Sequence, residues 1–320
     1  MIYILLLIAS FTLTYLIKNY AIKKSLVAEV NERSSHDVPT PHGGGIAIAL
    51  TWFAGLVYLY MYEMIEPNLF YALMMGVVVS AVSYADDLFE LSPKVRLLVQ
   101  SGVAIGGLVA LGGLEAIDFG FFTAENQIVT NTFAFFMIVW FINLYNFLDG
   151  IDGYAGSEAL FLALAGLILF GGEHFMVLAV SVLGFLFWNW HRAKIFMGDV
   201  GSTLLGYTVA IFTVYYANES TQNLWIWIIL FGVFWFDATL TLIRRKLKGE
   251  KLSQAHKKHA YQRLTQSGLS HSCVVIASTG LNIVLFWIVY LVDNVFAAFL
   301  LMGMILYSAV KYIDGRKRFE

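Results

Sequence analysis

Asn143, Asn146, Asp149 and Asp152 recur at every third position of the stretch 143–153, and a glycine follows each acid, Gly150 and Gly153. Amide and carboxylate oxygens are hard ligands and hydrogen-bond acceptors, suited to a divalent cation or to a sugar and a phosphate. The stretch closes one apolar run and precedes another, and costly polar groups beside a membrane mark function by default. Helix capping does not account for four such residues at regular spacing.

Four more polar constellations lie outside the apolar runs. Asp86 and Asp87 are adjacent at the end of a run, where they repel each other and the negative end of a helix, so a cation must offset them. Lys94 and Arg96 are near enough in sequence to do so, and a bound divalent metal is the alternative. Gly198-Asp199-Val-Gly-Ser202 opens another run, with Asn189 and Phe196 just before it. One carboxylate at a flexible helix start can seat a metal and turn Ser202 and backbone N–H groups toward phosphate. Phe196 suits either a membrane-interface anchor or a platform for a planar base.

His256 and His259 are three apart, which on a helix would put them on one face, close to Tyr261, Gln262 and Arg263. No cysteine or third nearby histidine completes a zinc set. The surrounding Lys and Arg favour an anion, a pyrophosphate or a lipid phosphate, with a basic loop against lipid headgroups as the plainer reading. The segment 39–45, with Pro39, Pro41, His42 and three glycines, stays open between an anion site and a packing device.

These groups need a scaffold, and composition names it. Of 320 residues, 59% are hydrophobic and 13% charged, too apolar for a soluble domain. Apolar runs close to the ~20 residues of a spanning helix predict an all-α integral membrane protein. It has about 11 transmembrane helices, near 1–17, 44–62, 68–85, 97–113, 132–148, 155–171, 174–190, 202–217, 224–243, 273–292 and 295–311. The first run lacks a basic leader and a cleavage site, so it reads as a retained span. The whole of 1–320 is expected to be one polytopic domain, and no repeat is visible.

All 20 Lys and Arg fall on one side of this alternation, which the positive-inside rule makes cytoplasmic. The N-terminus is then outside, the C-terminus inside, and the cytoplasmic loops lie at about 18–43, 86–96, 149–154, 191–201 and 244–272. Every polar constellation above sits on that face, so an active site there is expected. The opposite loops read as solvated turns. Asp237, inside a run, must face the bundle interior and reads as a structural partner. His174 and His271 read as surface residues near span ends, and the single cysteine, Cys273, as packing.

Asp86-Asp87, Asn-x-x-Asn-x-x-Asp-Gly-x-Asp-Gly, Phe-Met-Gly-Asp-x-Gly-Ser and a histidine-bearing basic loop occur in that order. The set, from about Glu32 to Gln262, resembles the polyprenyl-phosphate N-acetylhexosamine-1-phosphate transferases, glycosyl transferase family 4. Arg33–Pro41 and His259–Gln262 look most like the O-antigen initiating branch. The pentapeptide transferase of peptidoglycan synthesis has adjacent histidines in its last loop, whereas here lysines split His256 from His259. The resemblance implies transfer of N-acetylhexosamine-1-phosphate from a UDP-sugar to undecaprenyl phosphate in the bacterial cytoplasmic membrane, with release of UMP. It implies Mg2+, or Mn2+ in its place, a homodimer, and no nucleic-acid partner.

By motif, Asp199 would bind the metal, Asp86 would orient or deprotonate the lipid phosphate, and Asp87 would support the metal. Asn143, Asn146, Asp149 and Asp152 would line the donor-sugar site, and Asn189, Phe196 and Gly198 the nucleotide. His256, His259 and Arg263 would grip pyrophosphate. The pentapeptide-transferase reaction is one alternative. An ion-coupled transporter is another, although its acids would lie near the midplane rather than at one face.

Overall fold

The computed structural model describes residues 1–24, 27–28, 39–252, 254 and 256–319. Arg33 to Val38, which carry part of the O-antigen-branch likeness, lie outside the described residues. Each predicted apolar run is helical. The order is α1 (Ile2–Lys23), α2 (Gly45–Met61), α3 (Pro67–Met74), α4 (Gly76–Phe89), α5 (Pro93–Leu111) and α6 (Gln127–Leu148). Then come α7 (Tyr154–Phe170), α8 (Glu173–Asn189), α9 (Asp199–Glu219), α10 (Thr221–Leu230), α11 (Gly232–Leu247), α12 (Ala260–Gln266), α13 (His271–Leu291) and α14 (Val295–Arg316). Two two-residue hairpins, β1 (Val27–Ala28) with β2 (Thr40–Pro41) and β3 (Ile117–Asp118) with β4 (Thr123–Ala124), are the exceptions to an all-helical chain.

Local chemistry sets the helix starts. Pro67 and Pro93 open α3 and α5, where a missing N–H costs nothing. Ser92, Asn126, Ser270 and Asn294 cap α5, α6, α13 and α14 through side-chain oxygens. Among the described residues, seven helical segments are long and apolar enough to cross a bilayer: α1, α3 with α4, α5, α6, α9, α13 and α14. The pair α10–α11, bent by 75° at Phe231, makes an eighth. The protein is therefore a multi-pass membrane protein. α2, α7 and α8 are equally apolar but stop at 17 residues each.

The bundle is built around α9, whose apolar window is 94% buried, against 17% for α1 and 22% for α13. Small residues allow this close packing. A Cβ on Gly206 would stand 2.5 Å from the Phe141 carbonyl, so α9 lies directly against the backbone of α6. That contact brings Asp199, at the start of α9, to Asn146, near the end of α6. α1, α13 and α14 line the outside with exposed Ile, Leu, Phe, Trp and Tyr side chains, as lipid-facing helices do.

Three sequence expectations change. His174 is buried and pairs its Nε2 with the Tyr216 hydroxyl at 3.1 Å, because α9 covers it. Cys273 is exposed on the first turn of α13 rather than packed. His256 and His259 do not share a helix face: His256 lies in irregular chain and His259 is the residue before α12.

Candidate active site

Asp199, Asp86, Asp87 and Asp149 gather where the ends of α4 and α6 meet the start of α9. Asp86 is satisfied by protein: it accepts Leu91 N–H at 2.7 Å and pairs with Arg96 Nη1 at 3.0 Å. Asp87 is exposed, and its Oδ2 lies 3.8 Å from the position a Cβ would take on Gly198, whose φ of +76° suits glycine. Asn146 accepts the Ser202 hydroxyl at 2.8 Å, which turns its amide N–H toward Asp199. Asn143 donates to Gln100 at 2.7 Å and to the Val139 carbonyl at 2.7 Å.

Positive charge is scarce here. Among the described residues, the basic side chains close enough to act on Asp199 are Arg96, already held by Asp86, and His42. Enclosure by protein, with Asp199 close by, pushes the Asp149 carboxyl up to about 7. Hard oxygens with too little cationic partner are the chemistry that a divalent cation compensates, whereas among the described residues the group of three metal-type ligand atoms within 4.8 Å of one another is Asp152, His191 and His271.

Asp152 belongs to a different site. Its Oδ2 meets His191 Nδ1 at 2.9 Å, His271 Nδ1 at 3.3 Å and Ala193 N–H at 3.2 Å. Burial alone would raise its pKa, but these hydrogen bonds outweigh burial and hold it at about 2. His271 is thus a site residue that the sequence missed. It lies 119 positions from Asp152, and no linear spacing announces it. Asn189 is buried and fully used, accepting from Gly153 N–H at 3.0 Å and donating to the Ile195 carbonyl at 2.9 Å. It fastens the 149–153 turn to the 190–198 loop instead of presenting an open amide. In that loop Phe196 is partly buried, and its backbone pairs with Pro41 at 2.8 Å and Gly44 at 2.9 Å.

The basic loop is organised by Arg245, which is 1% exposed and donates to the Lys251, Leu252 and Gln254 carbonyls and to Glu250. Lys258 N–H donates to His256 Nδ1 at 3.2 Å, which places the ring proton on Nε2. Burial, then the neighbouring His259 and Arg245, lowers His256 to about 4, so it is neutral at pH 7. Arg263 is not brought into the cleft: it is buried and tied to Asp314 at 2.6 Å and the Lys317 carbonyl at 3.0 Å.

Two clefts meet at this site. One, of about 360 Å3, is polar at its wall, with Asp86, Arg96, Gln100, Asn143, Asn146 and Asp199. The other, of about 800 Å3, runs between α5, α6 and α11 over Phe136, Val139, Trp140 and Leu242 to His256 and His259. They share Leu97, Asn143 and Phe147.

Residues 69–217, which span the acid pair, the 143–153 stretch and Asp199, match the family described as glycosyl transferase family 4. A probable undecaprenyl-phosphate N-acetylglucosaminyl 1-phosphate transferase of Bacillus subtilis is 31% identical, over 98% of this chain and 86% of the relative. A decaprenyl-phosphate N-acetylglucosaminephosphotransferase of Mycobacterium leprae is 30% identical, over 84% and 77%. An undecaprenyl-phosphate alpha-N-acetylglucosaminyl 1-phosphate transferase of Salmonella typhi is 28% identical, over 80% and 73%. Motif order, helical scaffold and these relatives agree, and the chain belongs to the polyprenyl-phosphate N-acetylhexosamine-1-phosphate transferases of glycosyl transferase family 4.

Proposed function

We propose that this protein transfers N-acetylglucosamine-1-phosphate from UDP-N-acetylglucosamine to undecaprenyl phosphate. An oxygen of the lipid phosphate attacks the phosphorus bonded to the sugar, the bond to the UMP oxygen breaks, and UMP leaves. The observation that carries this reading is the junction of a carboxylate-rich cleft with a larger apolar one through Leu97, Asn143 and Phe147. A prenyl chain suits the apolar side, and its phosphate would then reach the acids. Three relatives named for N-acetylglucosamine support that sugar over other N-acetylhexosamines.

The reaction crowds several negative charges, so charge neutralisation dominates the barrier. Asp199 and Asp87 would hold Mg2+, which supplies positive charge against the phosphates. Arg96, fixed by Asp86 and 42% exposed in its side chain, adds a guanidinium to the same wall. A lipid phosphate, with a second pKa of about 6, is already largely anionic at pH 7, so positioning matters more than proton removal. Asp152, with its two histidines, lies on the donor side with Phe196, and His259 faces the phosphates from the apolar cleft. Counting α2, α7 and α8 as further spans gives eleven, with the acids on the cytoplasmic face of a bacterial cytoplasmic membrane, where nucleotide-sugars are found. The product would begin a cell-envelope glycan, an O-antigen or a related polymer.

The purified protein in lipid nanodiscs should convert UDP-N-acetylglucosamine and undecaprenyl phosphate to lipid-linked sugar and UMP. Chelation of divalent metal should stop this and added Mg2+ should restore it. Folded protein that turns over no UDP-N-acetylhexosamine would overturn the reading, and turnover in EDTA would overturn the metal.

A further inference from the structure

Asp237 is a buried acid that the transfer reaction leaves without a part. It sits on α11, 6% exposed, and burying a carboxylate is costly unless donors satisfy it. Its donors come mostly from one place in the chain. Ala260 N–H reaches Oδ1 at 2.8 Å and Tyr261 N–H reaches Oδ2 at 3.4 Å, and the His259 ring stands beside them with Nδ1 3.7 Å from Oδ1, in ionic contact rather than hydrogen-bonded. The Thr241 hydroxyl, one turn along α11, completes the set at 3.1 Å.

The helix so anchored, α12, has only seven residues, too few to hold itself together in isolation. Its start nonetheless meets the apolar cleft on one side and the turn that carries Asp149 on the other. His259 precedes it and lines the apolar cleft beside His256, their rings 4.8 Å apart. Tyr261 points the other way, and its hydroxyl donates to the Phe147 carbonyl at 3.2 Å. A Cβ on Gly150 would stand 2.0 Å from that hydroxyl, so only glycine admits Tyr261 to the turn that carries Asp149.

We infer that Asp237 is a positioning residue: its carboxylate fixes the start of α12, so that His259 faces the phosphates and Tyr261 braces the Phe147–Gly150 turn beneath Asp149. A neutral cap would satisfy one N–H. The carboxylate spans two, together with the imidazole, and so sets the direction of α12 as well as its start. The inference rests on the proposed donor site for its effect on ligand, and on geometry alone for the anchor.

Two measurements on the full chain in nanodiscs test it. The first is the affinity for UDP-N-acetylglucosamine with Mg2+, by calorimetry, in the wild type, Asp237→Asn, His259→Gln and the double variant. Each single change should weaken binding ~10-fold, the scale of one charge-assisted hydrogen bond, and the double should weaken it by clearly less than the ~100-fold product, because the two residues share a path. A merely structural role would lower the number of binding sites and leave Kd unchanged. That result, or a ~100-fold loss in the double variant, overturns the inference. The second is amide exchange of Ala260 and Tyr261, expected to quicken at least ~10-fold in Asp237→Asn while α9 is unchanged. Unaltered exchange overturns the anchor. Should the wild type bind no UDP-sugar, the proposed function fails, and the exchange result still decides the anchor.

Discussion

The carboxylates on the two sides of the 143–153 stretch are treated in opposite ways. On one side Asp152 is compensated at Oδ2 by two imidazoles and a backbone N–H, and its pKa falls to about 2. On the other side Asp87, Asp149 and Asp199 crowd together with Arg96 already committed to Asp86, and Asp149 is pushed up to about 7. A fold that compensates one acid in this way leaves the others short only where a ligand is to supply the missing charge. The uncompensated group is where chemistry is expected, and the compensated one is where a loop is held in place.

Asp199→Ala breaks this contrast most sharply if the contrast is wrong. Turnover should fall by at least ~10³-fold, the scale of losing the main electrostatic support of a phosphoryl transfer. Stability without divalent metal should hold or rise, because a carboxylate repelled by its neighbours is gone. A variant that melts earlier yet keeps activity would make Asp199 a structural acid and move the metal elsewhere.

Asp152→Asn should show the reverse pattern. The wild-type carboxylate is lowered from its ordinary 3.8 to about 2 in the folded protein. Its contribution is therefore fully present above pH ~4 and is lost as the pH falls through ~2, where both states are protonated. The variant should lose about 2 kcal/mol at neutral pH, and the two proteins should converge in thermal stability near pH 2. Saturated turnover should stay within ~10-fold of wild type. An equal stability gap at pH 2 and pH 7 would mean that Asp152 acts through packing and not through its charge.

The same contrast explains what could be read from the sequence. Spacing located all the acids, and hydropathy located the helices, because both are local properties of the chain. Whether an acid is compensated depends on partners far along the chain, and these were hidden. Arg96 was within reach of Asp86 and was anticipated, whereas His271 was set aside as a surface residue. Asn189 and Arg263 carried motif roles, but Gly153 and Asp314 use them up. The shortness of α2, α7 and α8 is itself legible in the sequence: polar or glycine residues, Glu63, Gly171 and His191, follow within two positions of the helix ends. His256 and His259 were placed on one helix face because the three-residue spacing suits a helix, yet Arg245 draws the loop carbonyls into irregular chain before α12 begins.

His256 sharpens the comparison at its weakest end. It lines the apolar cleft, where the proposed reaction would bring its phosphates, so a cationic role would make it the missing charge. Its surroundings argue otherwise: burial comes first, and His259 and Arg245 then oppose a further positive charge, while Glu250 pulls the other way and does not prevail. Glu250 is itself engaged by Lys258 at 2.7 Å and Arg245 at 2.9 Å. With Lys258 N–H on Nδ1, the ring has one neutral N–H to give, worth about 1 kcal/mol. His256→Ala should thus lower kcat/KM by ~5–10-fold, and His256→Gln, which keeps an N–H donor, by less than ~5-fold. Neither change should move the pH–rate profile between pH 6 and pH 8, because a group lowered to about 4 has finished titrating below that range. Loss of an ionisation in that window on removing His256 would show the ring charged in the working enzyme. The protein itself, and not the metal alone, would then be supplying charge to the cleft.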